Sequence, residues 1–166
     1  MLKRISCFII CLALLLVAAC ESYDFKVNEK LVYTAKPLFT DFDTPDRALY
    51  ECLKQGIVDQ KISTASQLSS LSCSHAGISD LQGLAIFTGL TKLKLSSNQI
   101  RNLAEITALT TLEELYLDNN KVVDPVPLYQ LPALRLLDLS GNATLQCPGA
   151  TAFLTIESVK LPNHCS

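Results

Sequence analysis

The stretch Leu90-Thr91-Lys92-Leu93-Lys94-Leu95-Ser96-Ser97-Asn98-Gln99-Ile100 decides the fold, because its pattern returns 22 residues later as Leu112-Glu113-Glu114-Leu115-Tyr116-Leu117-Asp118-Asn119-Asn120-Lys121-Val122. Working outward, the same clock reaches Leu68 on one side and Leu134 on the other. Its columns read Leu71, Leu93, Leu115, Leu137, then Cys73, Leu95, Leu117, Leu139, then Ala76, Asn98, Asn120, Asn142. The apolar spacings of 3, 2, 3, 2, 3, 3 and 3 fit neither the 3,4 alternation of an amphipathic helix nor a long strand of period 2, and they disfavour a coiled coil. A short strand, a tight turn and a return leg satisfy them. A coil of that kind cannot bury its leucines alone, so neighbours must stack, at roughly 1.5–3 kcal/mol per large apolar side chain buried.

Three asparagines in phase with nine leucines identify the segments, which resemble leucine-rich repeats of the 22-residue class. The resemblance covers residues 67–147. It implies an α/β fold, a short right-handed solenoid with parallel strands on its concave face and a ligand surface there. A polar side chain on the inside of a coil is costly unless hydrogen-bonded. An amide with two donors and two acceptor lone pairs can satisfy backbone groups where the chain turns. Asn98, Asn120 and Asn142 are therefore expected to form a ladder, a reading preferred over the glycosylation sequon that Asn142-Ala143-Thr144 also matches.

Residues 1–19 carry Lys3 and Arg4 and then an apolar run of signal-peptide layout, shorter than the roughly 20 residues of a membrane-spanning helix. Leu16-Val17-Ala18-Ala19-Cys20 resembles the lipobox of bacterial lipoproteins, and the resemblance implies a thioether-linked diacylglycerol and an amide-linked acyl chain on Cys20. Ordinary cleavage after Val17-Ala18-Ala19 is the alternative. Cysteine arithmetic separates the two readings. Of seven cysteines, Cys7 and Cys11 leave with the signal, and lipid on Cys20 leaves an even set, Cys52, Cys73, Cys147 and Cys165. Glu21 follows Cys20 where an Asp would favour inner-membrane retention in enteric-type sorting, so the expected place is the outer membrane, facing the periplasm. Loss of Lys3 and Arg4 sets the remainder of the 14 basic side chains against 16 acidic ones, a sign opposed to nucleic-acid binding.

The chain after the signal is read as a lipidated tether over residues 20–43, an N-terminal cap helix and connection over 44–66, the repeats, and a truncated last repeat with C-terminal cap over 148–166. Thr44-Pro45-Asp46-Arg47 reads as a helix start with Pro at the first helical position, and Leu49, Cys52 and Leu53 as its apolar stripe, ending near Gly56. An open solenoid end exposes leucines and needs a cap. Cys52 on that stripe and Cys73 in a leucine column suggest one disulfide, worth about 3 kcal/mol by loop-closure entropy. Ile156, Val159 and Leu161 continue the clock from Leu134, Leu137 and Leu139, so Cys147 and Cys165 would fasten the last coil to its neighbour. Four cysteines allow three connectivities, and this one joins neighbouring coils. A zinc site of Cys147, His164 and Cys165 is the alternative, although no C-x-x-C or second nearby His supports it. Pro125, Pro127 and Pro132 predict an extended return leg in the third repeat.

In a strand of x-L-x-L form the residues between the leucines face away from the core. The resemblance therefore places Lys92, Lys94, Glu114, Tyr116, Asp118, Asn119, Leu136 and Asp138 on the concave binding face. The charges could satisfy one another across strands, or Tyr116 could anchor a protein ligand. His75 is expected to be a solvated edge residue. No G-x-S-x-G, P-loop or H-E-x-x-H stands in the chain, and only two histidines do, so no catalysis, metal or cofactor is expected. The expectation is a monomeric, lipid-anchored module that binds a protein or peptide. The rival is an envelope-structural or peptidoglycan-contacting lipoprotein, which a lone concave aromatic, Tyr116, disfavours.

Overall fold

The computed structural model describes Phe25–Val27, Lys30–Tyr33 and residues 36–165; the signal segment and Cys20 lie outside the described residues. The chain divides into two compact units between Pro37 and Leu38. In the first, β1 (Phe25–Val27) and β2 (Lys30–Tyr33) form an antiparallel hairpin with an irregularity between Phe25 and Lys26, strands that the sequence reading of this segment lacks. Among the described residues no helix is long and apolar enough to cross a membrane.

The second unit is a leucine-rich repeat solenoid. Strands β3 (Ser70–Ser72), β4 (Lys92–Lys94), β5 (Glu114–Tyr116), β6 (Leu136–Asp138) and β7 (Ser158–Lys160) form one parallel sheet in sequence order. Each strand pairs with the next at a register of 22 residues, Leu71 to Leu93 to Leu115 to Leu137 to Val159. Sequence period and sheet register are thus the same quantity. The leucine columns lie inside: Leu93, Leu95, Leu115, Leu117 and Leu139 are fully buried, and Leu71, Cys73 and Leu137 nearly so. Ile156, Val159 and Leu161 fall in the same columns but stay half-buried, since among the described residues β7 pairs with β6 alone.

Return legs are short 3₁₀ turns at Leu84–Ile86, Ala104–Ala108 and Val126–Gln130. The third corrects the expectation of an extended leg. Pro125 adopts φ −84° and ψ −7°, and its carbonyl accepts from the Leu128 N–H at 2.9 Å. Proline's fixed φ is compatible with the start of a helical turn, where its missing N–H is not needed. Thr144, in the column of Ile78, Ile100 and Val122, is exposed, and its hydroxyl lies 3.2 Å from the Val122 carbonyl.

The cap helix α1 spans Arg47–Gln60, with Leu49, Leu53 and Ile57 buried against the first coil. It starts later than the Pro45 position suggested and runs through Gly56. Asp46 is its N-cap, and Lys61 closes it at φ 52°. Gly56 continues the helix because a helical glycine costs only about 1 kcal/mol, while Ile57 beyond it has a buried site to fill. The Cys52–Cys73 disulfide joins α1 to the first coil, and Cys147–Cys165 joins the fourth coil to the last. Ahead of α1, Phe39 and Phe42 pack edge-on against the buried Phe87, with centroids 6.1 and 5.8 Å away.

Asp46 performs two tasks. One carboxylate oxygen accepts from the Ala48 and Leu49 N–H groups at 2.9 and 3.1 Å, and the other accepts from the Ser79 and Asp80 N–H groups at 2.8 and 3.0 Å. The cap is thereby tied to the turn after β3. Burial pushes this carboxyl up, but the hydrogen bonds from Ser79, Leu49 and Asp80 outweigh it and hold the pKa below the ordinary value. Asp46→Ala is expected to cost about 2 kcal/mol in urea unfolding at neutral pH. Because the folded pKa is depressed, that contribution is fully present above the unfolded value of about 3.9 and fades as pH falls through the folded one. A wild-type advantage unchanged between pH 7 and pH 2.5 would contradict this assignment.

Candidate functional site

The concave face is built from the non-leucine positions of β4 to β7 and the residues that follow them. The 22-residue register sets Lys92, Glu114 and Leu136 in one row, with Lys94, Tyr116, Asp138 and Lys160 in the next. Ser96 and Asp118 continue into a third, where the Ser96 hydroxyl donates to Asp118 at 2.5 Å. Lys92, Lys94, Glu114, Tyr116, Asp118 and Leu136 are half-buried, Asn119 is exposed, and Asp138 is buried. The sheet sets six of the eight residues singled out in the sequence in its rows, and Asp118 and Asn119 follow shortly after β5.

Most of the charge on this surface is satisfied internally. Lys92 Nζ meets Glu114 Oε2 at 2.5 Å, and the Tyr116 hydroxyl donates to that same oxygen at 3.1 Å. This pair holds Lys92 above, and Glu114 below, its ordinary pKa. Burial and the hydrogen bond to Glu114 push the Tyr116 phenol up. Asp138 pairs with Lys160 at 3.2 Å and accepts from the Ser140 N–H and hydroxyl at 3.1 and 2.6 Å. Those bonds outweigh its burial and lower its pKa. The ammonium groups of Lys92 and Lys94 lie 5.8 and 5.4 Å from the Tyr116 ring centroid, within cation–π range.

Beneath the face runs the amide ladder. Asn120 Nδ2 donates to the carbonyls of Leu95 and Leu117 at 2.9 and 3.0 Å, while its Oδ1 accepts from the Ile100 N–H at 3.1 Å. Asn142 repeats the arrangement one coil later with Leu117, Leu139 and Val122. Asn98 serves Cys73, Leu95, Gly77 and Ile78. Each rung therefore spans two coils, fixing the backbone that displays the outward side chains.

The column beside the ladder was not legible as a constraint. His75, Ser97, Asn119 and Gly141 all have positive φ, at 60°, 57°, 55° and 73°. The chain turns left-handed there to leave the strand, a conformation that costs roughly 1–2 kcal/mol for a residue with a Cβ. Only Gly141 avoids this cost, and a Cβ on it would lie 2.3 Å from Asn119 Oδ1. Asn119 is one of the few residue types that tolerate this region, a signal the sequence did offer. His75 is exposed as expected.

At the C-terminal end Cys147, His164 and Cys165 do gather, with one ligand atom from each inside 4.8 Å. The disulfide uses both sulfurs, and His164 Nε2 lies 3.0 Å from the Leu145 carbonyl oxygen. The zinc alternative thereby loses two of its three ligands.

Comparison with known proteins bears on the repeat fold. Residues 88–143 match the family model described as Leucine rich repeat. Among solved structures, an internalin (inlF) from Listeria monocytogenes is similar over 70% of this chain and 43% of its own, at 22% identity and a TM-score of 0.57. Internalin C2 (inlC2) of that organism is similar over 51% and 37% at 29% identity and a TM-score of 0.44. The functional domain of InlJ, also from Listeria monocytogenes, is similar over 70% and 36% at 21% identity and 0.43. This chain thus spans less than half of each, and the first likeness bears on the fold alone. A comparison with curated proteins finds no match.

Proposed function

We propose that this chain is a non-catalytic protein- or peptide-binding module, held at the bacterial cell envelope by lipid on Cys20, that receives its partner on the concave face. One observation carries the reading: the parallel sheet sets Lys92, Lys94, Glu114, Tyr116 and Asp138 side by side above a hydrogen-bonded ladder. Solenoids use such extended concave surfaces for binding, and preorganised side chains lose little freedom on association. The proposed site in the cell is the outer membrane, facing the periplasm. The anchor rests on the lipobox-like Leu16-Val17-Ala18-Ala19-Cys20 and on the even set of cysteines that remains, all four of them paired.

The test is in-cell photo-crosslinking with a reactive side chain at Tyr116 and, as control, at the exposed Ala104 on the return leg. Capture of a discrete protein from Tyr116 and none from Ala104 is the expected result. Equal capture, or none, from the two positions sinks the concave-face reading. Mass analysis of the mature N-terminus tests the anchor separately, since an unmodified Cys20 or a cleavage elsewhere removes it.

A further inference from the structure

Resting on the concave-face reading, we infer that the partner segment is extended and zwitterionic, with an acidic side chain over Lys94 and a basic one over Asp118, two residues apart on one face. The argument starts from which charges remain. Among the described residues there are three ion pairs, and they use Lys92, Glu114, Arg135, Glu157, Lys160 and Asp138. Lys94 and Asp118 belong to none of them. Glu114 already takes both the Lys92 ammonium and the Tyr116 hydroxyl on Oε2. Among the described residues the Lys94 ammonium makes no ion pair; it lies 5.4 Å from the Tyr116 ring centroid and acts on Glu114 only through space, as the last of the causes that lower that carboxyl. Asp118 accepts solely neutral donors, the Ser96 hydroxyl at 2.5 Å and the Asn119 amide at 2.9 Å. Those bonds orient its carboxylate and leave its charge in place.

The face therefore has a positive pole on β4 and a negative pole beyond β5. Lys94 has the small Ser72 beside it on one side and Tyr116 on the other, while Ser96 and Ser140 occupy the repeat position of Asp118 in the coils before and after it. Adjacent strands are about 4.8 Å apart and two residues along a strand advance about 6.8 Å, which puts the two poles on a diagonal of roughly 8 Å. An extended segment sets side chains i and i+2 on one face about 6.8 Å apart, a spacing that long acidic and basic side chains bridge. A helical segment puts same-face neighbours three or four residues apart, so its spacing pattern differs.

Four dye-labelled peptides in a Ser-Gly background, carrying Glu-Gly-Lys, Glu-Gly-Glu, Lys-Gly-Lys or no charge, test this by fluorescence anisotropy at low ionic strength, where screening is weak. Wild type should prefer the Glu-Gly-Lys peptide by about tenfold. Lys94→Glu should shift the preference to Lys-Gly-Lys, and Asp118→Lys to Glu-Gly-Glu. Lys94→Gln and Asp118→Asn, which keep size and hydrogen bonding, should erase discrimination at one pole each. They serve if the reversals fail to fold. Equal affinity for all four peptides, or none for any, overturns the inference. Capture of a protein at Tyr116 in that event leaves the concave-face reading standing, whereas failure of both assays sinks the two together.

Discussion

Asn120→Ala is expected to destabilise the solenoid by about 3 kcal/mol, which is large against the 5–15 kcal/mol of a typical domain. The methyl group orphans the Ile100 N–H and removes one of the two amide donors from each of the Leu95 and Leu117 carbonyls, which keep Asn98 and Asn142 respectively. Water has no easy access, because Asn120 is 7% exposed and its partner residues Leu95, Leu117 and Ile100 are fully buried. Each buried backbone group left unpaired costs about 1–3 kcal/mol. Asn120→Asp separates hydrogen bonding from shape. It preserves the acceptor for the Ile100 N–H but sets a carboxylate oxygen against two carbonyl oxygens, so it should not rescue stability at neutral pH. Urea unfolding with an unchanged m-value would check both variants, and a loss below about 1 kcal/mol for Asn120→Ala would show that the rung is dispensable.

The second large effect compares one column at two places. Leu115→Ala in β5 is expected to cost about 3–5 kcal/mol, because that side chain is fully buried between coils on both sides and its loss leaves a cavity. Val159→Ala occupies the same column in β7, in register through Leu137. It should cost under about 1 kcal/mol, since the half-buried Val159 has a coil on one side only. Equal costs in thermal or urea unfolding would mean that the last coil is covered in solution, or that stacking is not what makes the column valuable.

Much of the fold was legible because one number, the 22-residue period, serves as both sequence repeat and strand register. Once Leu93 is set opposite Leu115, every outward residue is placed as well, which is why Lys92 and Glu114, or Tyr116 and Asp138, could be put side by side from sequence. The cap helix was legible through the spacing of Leu49, Cys52 and Leu53, but its ends were not. Thr44 and Asp46 are both reasonable caps, and the choice fell to Asp46 because it also satisfies the turn at Ser79 and Asp80. The return leg at Pro125 was misread because proline restricts φ in a way compatible with an extended leg and with the start of a 3₁₀ turn.

By itself the sequence determined the stack: how many coils, which leucines lie inside, where amides cross from one coil to the next, and which side chains share the open face. These follow from periodicity and from the cost of burying unpaired polar groups, both of which are local and repeat in every coil. Only the tertiary structure decided the charge balance of that face. Whether a lysine is neutralised or left available depends on side-chain reach across strands. Lys92 and Lys94 look alike in the chain, yet Lys92 reaches Glu114 and Lys94 lies over a tyrosine ring. The left-handed column at His75, Ser97, Asn119 and Gly141 was likewise decided there, because the path out of a strand is set by the coil it must join.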